Sequence, residues 1–231
     1  MASRTYQELL SQAKVNFEFF REDIQNRGTV PMTMTVSGIP SFKRVGKTIG
    51  LASNADADNV VSNGVAAVLD VTGTVTCEAV FCVPLAGRTT ADLSYLLWQT
   101  NLGGFTFFTY SSSGTCDVRL YFIDSAGVTA RRIISPTNVY SPGTTWRHAV
   151  ITSIAGGTSG LIWINGIPQT PSYVGAGTAA NCGTAMLYTA YCPTYARSVT
   201  ERIRAWQGSV DQNEVTTLYQ NYLQFTRPSK C

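Results

Sequence analysis

The hydrophobic period of this chain changes twice, and those two changes constrain its fold more than any other feature. Tyr6, Leu9, Leu10 and Ala13 recur at helical spacing. Thr5 and Glu8 precede and enter that run three residues apart, the spacing of a capping box, in which hydroxyl and carboxylate satisfy each other's orphan amides. From Val15 the period drops to two, because Val15, Asn16, Phe17, Glu18 and Phe19 alternate apolar with polar as a strand does. Glu18, set between two phenylalanines, is expected to face solvent. Helical spacing returns only with Val215, Leu218, Tyr219 and Tyr222, where Asp211 and Glu214 form a second capping box.

Between those helices lies a succession of short segments rich in Val, Ile, Thr and aromatics, the residues that suit a pleated surface. The strands expected are Thr33–Val36, Thr48–Leu51, Gly64–Leu69, Thr74–Pro84, Ser94–Gln99, Gly104–Tyr110, Asp117–Asp124, Arg131–Ile134, Trp146–Ile154, Gly160–Ile164, Ala185–Ala190 and Val199–Gln207. Turn residues separate them, among them Asp124 to Gly127, Ser141 to Gly143, Ala155 to Gly157 and the pair Asn165–Gly166. Short strands with turns between them specify a sandwich or jelly roll. At 231 residues, the chain is within the size of one such domain.

Charge narrows the function. Asp, Glu, Lys and Arg make up 13% of the chain, about half of the usual ~25%, so its polar surface is built from Thr, Ser, Asn, Gln and Gly. That composition suits a virion or extracellular surface. The net charge of +3 is too small and scattered for a nucleic-acid footprint. No apolar run approaches the ~18 residues of a membrane span, and the polar start, MASRTYQELLSQAK, lacks the apolar segment of a signal peptide. None of the six cysteines forms a C-x-x-C pair, and the single histidine, His148, is not beside one, which argues against zinc. Free, buried thiols are expected. Cys182 and Cys192, flanking one loop, are the pair placed best for a disulfide if one forms.

Several stretches in succession resemble laminin G-like domains of the concanavalin A-like jelly rolls. Trp146–Arg147–His148–Ala149–Val150, followed by Gly160 to Gly166, is similar to that family's "W-x-H-x-A … L-Y-x-N-G" hairpin, with Asn165–Gly166 at the tight turn. Val45–Leu51 resembles its "G-K-A-L-x-F" strand, and Thr74–Pro84 its "F-T-x-x-x-W-x-x-P" strand, with Phe81 in place of the tryptophan. Arg202 to Tyr219 resembles its closing "R-x-W" strand and helix. The resemblance covers about residues 15–222. It implies an all-β, two-sheet antiparallel jelly-roll sandwich, roughly six or seven strands a sheet, with short N- and C-terminal helices. It divides the chain into an N-terminal extension (1–14), the jelly-roll domain (15–222) and a tail (223–231). Signal-less, Thr/Gly-rich chains of this kind also resemble phage virion proteins.

The chemistry available is sparse. One histidine and no nucleophile elbow provide no Ser–His–Asp arrangement, and His148 reads as a packed structural residue. The Glu-x-Asp-x-Glu pattern of related glucanases is missing, so the chain is expected not to be an enzyme. Asp56, Asp58 and Asn59 provide oxygen ligands in a polar loop, and calcium is the one cofactor they would take. Trp98, Phe108 and Tyr110, in an aromatic-rich hairpin with Tyr95, Phe105 and Phe107, are the candidate glycan-binding residues. Because Phe107 and Phe108 are adjacent, one must face outward. Tyr6, Leu9 and Leu10 of the first helix, with Phe225 and Arg227 of the tail, are the candidate contacts to partner proteins. The leading expectation is a virion structural protein, a capsid decoration bound to its neighbours on a lattice. The alternative is a lectin-like module or tail-fibre adhesin that binds a surface glycan.

Overall fold

The computed structural model describes residues 3–226 apart from 39, 53–58, 84–91, 113–114, 142, 144 and 195–197. Its elements, in chain order, are α1 (Tyr6–Gln12), β1 (Val15–Glu18), a 3-10 turn (Phe19–Arg21), β2 (Thr35–Ser37), β3 (Ser41–Val45), β4 (Thr48–Ala52), β5 (Asn59–Val65), β6 (Val75–Cys82), β7 (Asp92–Asn101) and β8 (Gly103–Ser112). There follow β9 (Thr115–Ile123), β10 (Thr129–Ile134), β11 (Arg147–Ile154), β12 (Ser159–Ile164), β13 (Ile167–Gln169), β14 (Ser172–Val174), β15 (Ala185–Thr194), β16 (Val199–Gln207) and α2 (Gln212–Thr226). Every pairing is antiparallel. The first sheet runs β13-β12-β11-β6-β16-β4-β3, with β1 also on β16, and the second runs β14-β10-β9-β8-β7-β15-β5-β2.

Alternation explains the core. Val75, Cys77, Ala79 and Phe81 of β6 point between the sheets, as do Ala149 and Ile151 of β11 and Ile203 and Ala205 of β16. Phe105 and Phe107 of β8 and Leu120 and Phe122 of β9 meet them from the second sheet. Each valine, isoleucine, leucine and phenylalanine among them contributes roughly 1.5–3 kcal/mol by leaving water. Asn165 and Gly166 have φ of 52° and 76°, the two positive values of the tight hairpin turn expected from that pair.

Three strands lie outside the expected set: β3, β13 and β14. All are at or next to sheet edges. β2–β3 and β13–β14 are short links that carry the chain from one sheet to the other at opposite sides of the sandwich, which raises each sheet to eight strands. The expected strand Gly64–Leu69 is corrected. β5 begins earlier, at Asn59, and ends at Val65, after which Val68 and Leu69 drop into the core as a loop. The fully buried Gln99 side chain replaces the lost ladder: its Nε2 donates to the carbonyls of Val65 and Ala66, and its Oε1 accepts from the Val68 amide.

Both capping boxes form. The Thr5 hydroxyl accepts from the Glu8 amide at 3.3 Å, and the Glu8 carboxylate accepts from the Thr5 amide at 2.7 Å. Asp211 and Glu214 make the reciprocal bonds at 2.9 and 3.0 Å. α2 runs on through Thr226, past the expected domain end at residue 222.

Candidate functional site

Each sheet turns one face to the core and one away from it. The away-facing side of the first sheet carries Asn16 and Glu18 from β1, Glu78 from β6, His148 from β11, and Arg202 and Arg204 from β16, all buried. Arg204 is the hub. It reaches Glu18 at 3.0 Å, Glu78 at 3.3 Å, the Asn16 side-chain oxygen at 3.0 Å and the Tyr6 hydroxyl at 2.9 Å. His148 Nε2 lies 2.9 Å from the other Glu78 oxygen. Burial raises the Glu78 carboxyl, but Arg204, His148 and Arg202 outweigh it and hold it down at about 2. Glu201 pairs with Arg202 at 2.7 Å, yet burial keeps its carboxyl above the usual range.

The helices roof this face. Leu9 and Ala13 of α1 pack with Val150, Trp163, Trp206, Val215 and Leu218, and the Trp206 indole donates to the Leu9 carbonyl at 2.7 Å. Arg4 ties the entry of α1 to Glu214 of α2. The rings of Tyr219 and Tyr222 stack over His148. Two expectations are thereby corrected. Glu18 does not face solvent, because β1 is laid against β16 and the helices cover its far side. Leu9, a candidate partner contact, is buried within its own chain, while Tyr6 and Leu10 are half-buried. This face is a structural core of charged groups. A carboxylate held by arginine under two helices is not available to a substrate.

The second sheet's outer face is different. Two rows of side chains cross it in strand register. The first runs Tyr188 (β15), Trp98 (β7), Thr106 (β8), Tyr121 (β9), Arg132 (β10). The second runs Tyr95 (β7), Phe108 (β8), Arg119 (β9), Ile134 (β10). Tyr95 and Trp98 stand three apart, so strict alternation would place them on opposite faces. A bulge between Tyr95 and Leu97 turns both outward and sends Leu96 and Leu97 to the core.

The rings form a continuous floor. Trp98 stacks on Tyr188 with centroids 4.7 Å apart and on Tyr95 at 5.3 Å. Phe108 meets Tyr95 at 5.5 Å and the edge of Tyr121 at 4.8 Å. Polar groups are fixed around them. Arg119 is clamped by Asp117 through two bonds of 2.5 and 2.9 Å, donates to the Tyr121 hydroxyl at 2.9 Å, and sits 3.6 Å over the Tyr110 ring. The Trp98 indole donates to the Thr100 hydroxyl at 2.5 Å. Tyr95, Trp98, Phe108, Tyr121, Arg119 and Arg132 help to line a shallow depression of about 400 Å³ here.

Of the three candidate glycan residues, Trp98 and Tyr110 are half-buried on this face and accessible from it. Phe108 does turn away from the core, as its adjacency to Phe107 required, but it is only 3% exposed, because Tyr95 and Tyr121 close over it. It supports the floor from beneath. Tyr188, Tyr121, Arg119 and Arg132 were not among the candidates. The signal for the last three was period two in Asp117, Arg119 and Tyr121, and in Arg132 beyond the next turn.

The remaining candidates lie elsewhere. Asp56 and Asp58 are outside the described residues, and Asn59 opens β5 with its side chain undescribed. Among the described residues no group of three metal-ligating side chains occurs. Phe225 falls in the last turn of α2, its side chain undescribed, and Arg227 is outside the described residues. Cys77, Cys82, Cys116 and Cys182 are free and buried, so Cys182 has no disulfide to Cys192. No described helix is long and apolar enough to cross a membrane.

No family model matches the chain, and no curated protein matches it in sequence. Solved structures do share its fold. The receptor-binding domain of botulinum neurotoxin mosaic serotype C/D aligns with a TM-score of 0.69 at 7% identity, over 92% of this chain and 51% of that one. The binding domain of Paraclostridial Mosquitocidal Protein 1 aligns at 0.69 and 13% identity, over 91% and 52%. The ligand-binding domain of botulinum neurotoxin serotype D, solved with N-acetylneuraminic acid, aligns at 0.70 and 7% identity, over 93% and 52%. The chain thus spans about half the length of these structures. At such identities the likeness is one of fold alone: this chain is an all-β, two-sheet jelly-roll sandwich similar to part of each of these binding domains.

Proposed function

We propose that this protein is a non-catalytic binding module that recognises a carbohydrate on the outer face of its second sheet. One observation carries the reading. Five aromatic rings form an unbroken floor on a sheet face that no helix among the described residues covers, ringed by polar groups already held in place. Ligand sites are built in this way, from apolar and aromatic walls with a few fixed polar groups that set orientation. Trp98 and Tyr121 would stack against the apolar faces of sugar rings, and the Thr106, Tyr110 and Tyr121 hydroxyls would meet sugar hydroxyls. That a structurally similar domain was solved with N-acetylneuraminic acid is consistent with this reading.

The setting that suits it is an adhesin, and a virion is one place where a weakly charged, Thr- and Gly-rich surface would serve. A capsid-decoration role receives less support, because the apolar stripe of α1 that would have bound neighbours is spent on the protein's own roof. A glycan array probed with the purified protein tests the reading. Selective binding lost in Trp98→Ala, with an unchanged far-UV spectrum, is expected. A blank array, or binding indifferent to Trp98, would overturn it.

A further inference from the structure

Arg132 differs from its neighbour Arg119 in one respect that bears on the ligand. Arg119 is neutralised: Asp117 takes two of its N–H groups and the Tyr121 hydroxyl a third. The Arg132 guanidinium lies over the ring of the same Tyr121, 5.0 Å from its centroid, and among the described residues that guanidinium has no carboxylate or hydrogen-bond partner. Arg132 is half-buried at the rim of the aromatic floor, so an anionic group stacked there would meet its guanidinium without displacing a partner. A guanidinium carries its donors as a planar fork that matches the two oxygens of a planar anion. Arg132 also stands on β10 at the end of the first row, with only the short edge strand β14 beyond it.

Building on the carbohydrate-binding reading, we propose that the ligand is an anionic saccharide whose carboxylate or sulfate ester is bound by Arg132. Three inter-strand steps of about 4.8 Å separate Trp98 from Arg132, roughly 14 Å in all. That span selects an oligosaccharide over a single sugar, with a neutral ring on Trp98 and the charged residue over Tyr121. Arg119, already paired, positions the Tyr121 and Tyr110 rings and leaves the charge reading to Arg132.

The test uses matched glycans that share one neutral core and carry a carboxylate, a sulfate ester or neither, measured by titration calorimetry against the full chain. The charged forms are expected to bind at least about tenfold more tightly than the neutral one, and Arg132→Gln to abolish that margin. Raising salt should weaken the native protein's binding of charged forms and leave Arg132→Gln unaffected. Arg132→Lys, which keeps the charge and loses the fork, should recover part of a carboxylate margin. The carboxylate and sulfate arms decide between the two sources of anion. Equal affinity for charged and neutral forms, or a margin that survives Arg132→Gln, overturns this proposal and leaves the carbohydrate reading standing. No binding in any arm, with Trp98→Ala also silent, overturns both.

Discussion

The two sheets have the same architecture and opposite outer faces. On the first, glutamates, arginines and a histidine alternate with core residues, and two helices seal them from water. On the second, tyrosines and a tryptophan occupy the equivalent positions and stay accessible, with Phe108 beneath them. The usual expectation, polar outward and apolar inward, is thus reversed between the two. The residues that look like catalytic groups are structural, and those that look like core are the candidate site. The cause is the placement of α1 and α2. Once a helix pair covers a sheet, that face becomes interior, and any charge on it must find a partner there. An uncovered face can hold aromatics only where they support one another, as Trp98 does between Tyr95 and Tyr188.

The sharpest way to break this contrast is to remove the hub of the sealed face. Arg204→Met leaves Glu78 buried without its main counter-charge and takes from Glu18 one of its two arginines, the other being Arg21, and should cost about 3–5 kcal/mol in denaturant unfolding. A loss below ~1 kcal/mol would mean water reaches that face and the roof is not closed. Acid should act on the same network. Glu78 sits at about 2 in the folded protein against an ordinary 4.5, so its stabilisation is complete above pH 4.5 and is lost as pH falls through about 2. Glu214, raised by burial but brought to about 2 by hydrogen bonds from Arg4 and Asp211, adds to the trend with the same sign. Glu201, raised by burial, opposes it. Unfolding midpoints in urea should therefore decline from about pH 5 down to pH 2.

Glu214→Ala is a milder probe of the roof. It removes the glutamate half of the α2 capping box and the anchor of Arg4, and should cost about 1–2 kcal/mol. It should speed proteolysis near α1 and leave ligand binding on the other sheet unchanged. Trp98→Ala should have the smallest effect on stability, about 1 kcal/mol, and the largest on glycan affinity. If it destabilises the fold as much as Arg204→Met, the aromatic face is core and the two faces are alike after all.

Much of the fold was legible in the sequence because local rules set it. Period two marked β6, β8, β9, β11 and β16, and the spacing of Thr5 with Glu8 and Asp211 with Glu214 marked both helix starts. β13 and β14 were not legible. Three-residue strands, one with Pro168 at its centre and one just after Pro171, carry too few alternations to show a period, and they exist only because each finds an edge to pair with. β5 was displaced because Val68 and Leu69 look like strand residues, whereas a glutamine side chain 31 residues away accepts the bond that a neighbouring strand would have taken. Of the site, the sequence indicated the hairpin of Trp98 and Tyr110. It did not indicate Tyr188, whose partner Trp98 lies on a strand far back in the chain.

The sequence by itself determined where the chain alternates, where it turns and where its helices begin, because sterics and capping act over two to four residues. Only the tertiary structure decided which alternating face meets water. Asn16 and Arg204 are bonded across 188 positions, and Glu78 and Arg204 across 126. Bulges at Tyr95–Leu97 and Thr200–Arg202 shift side chains from one face to the other by a single residue. Strand order, bulge register and the docking of two helices made one face an interior and left the other open, and no local pattern encodes any of the three.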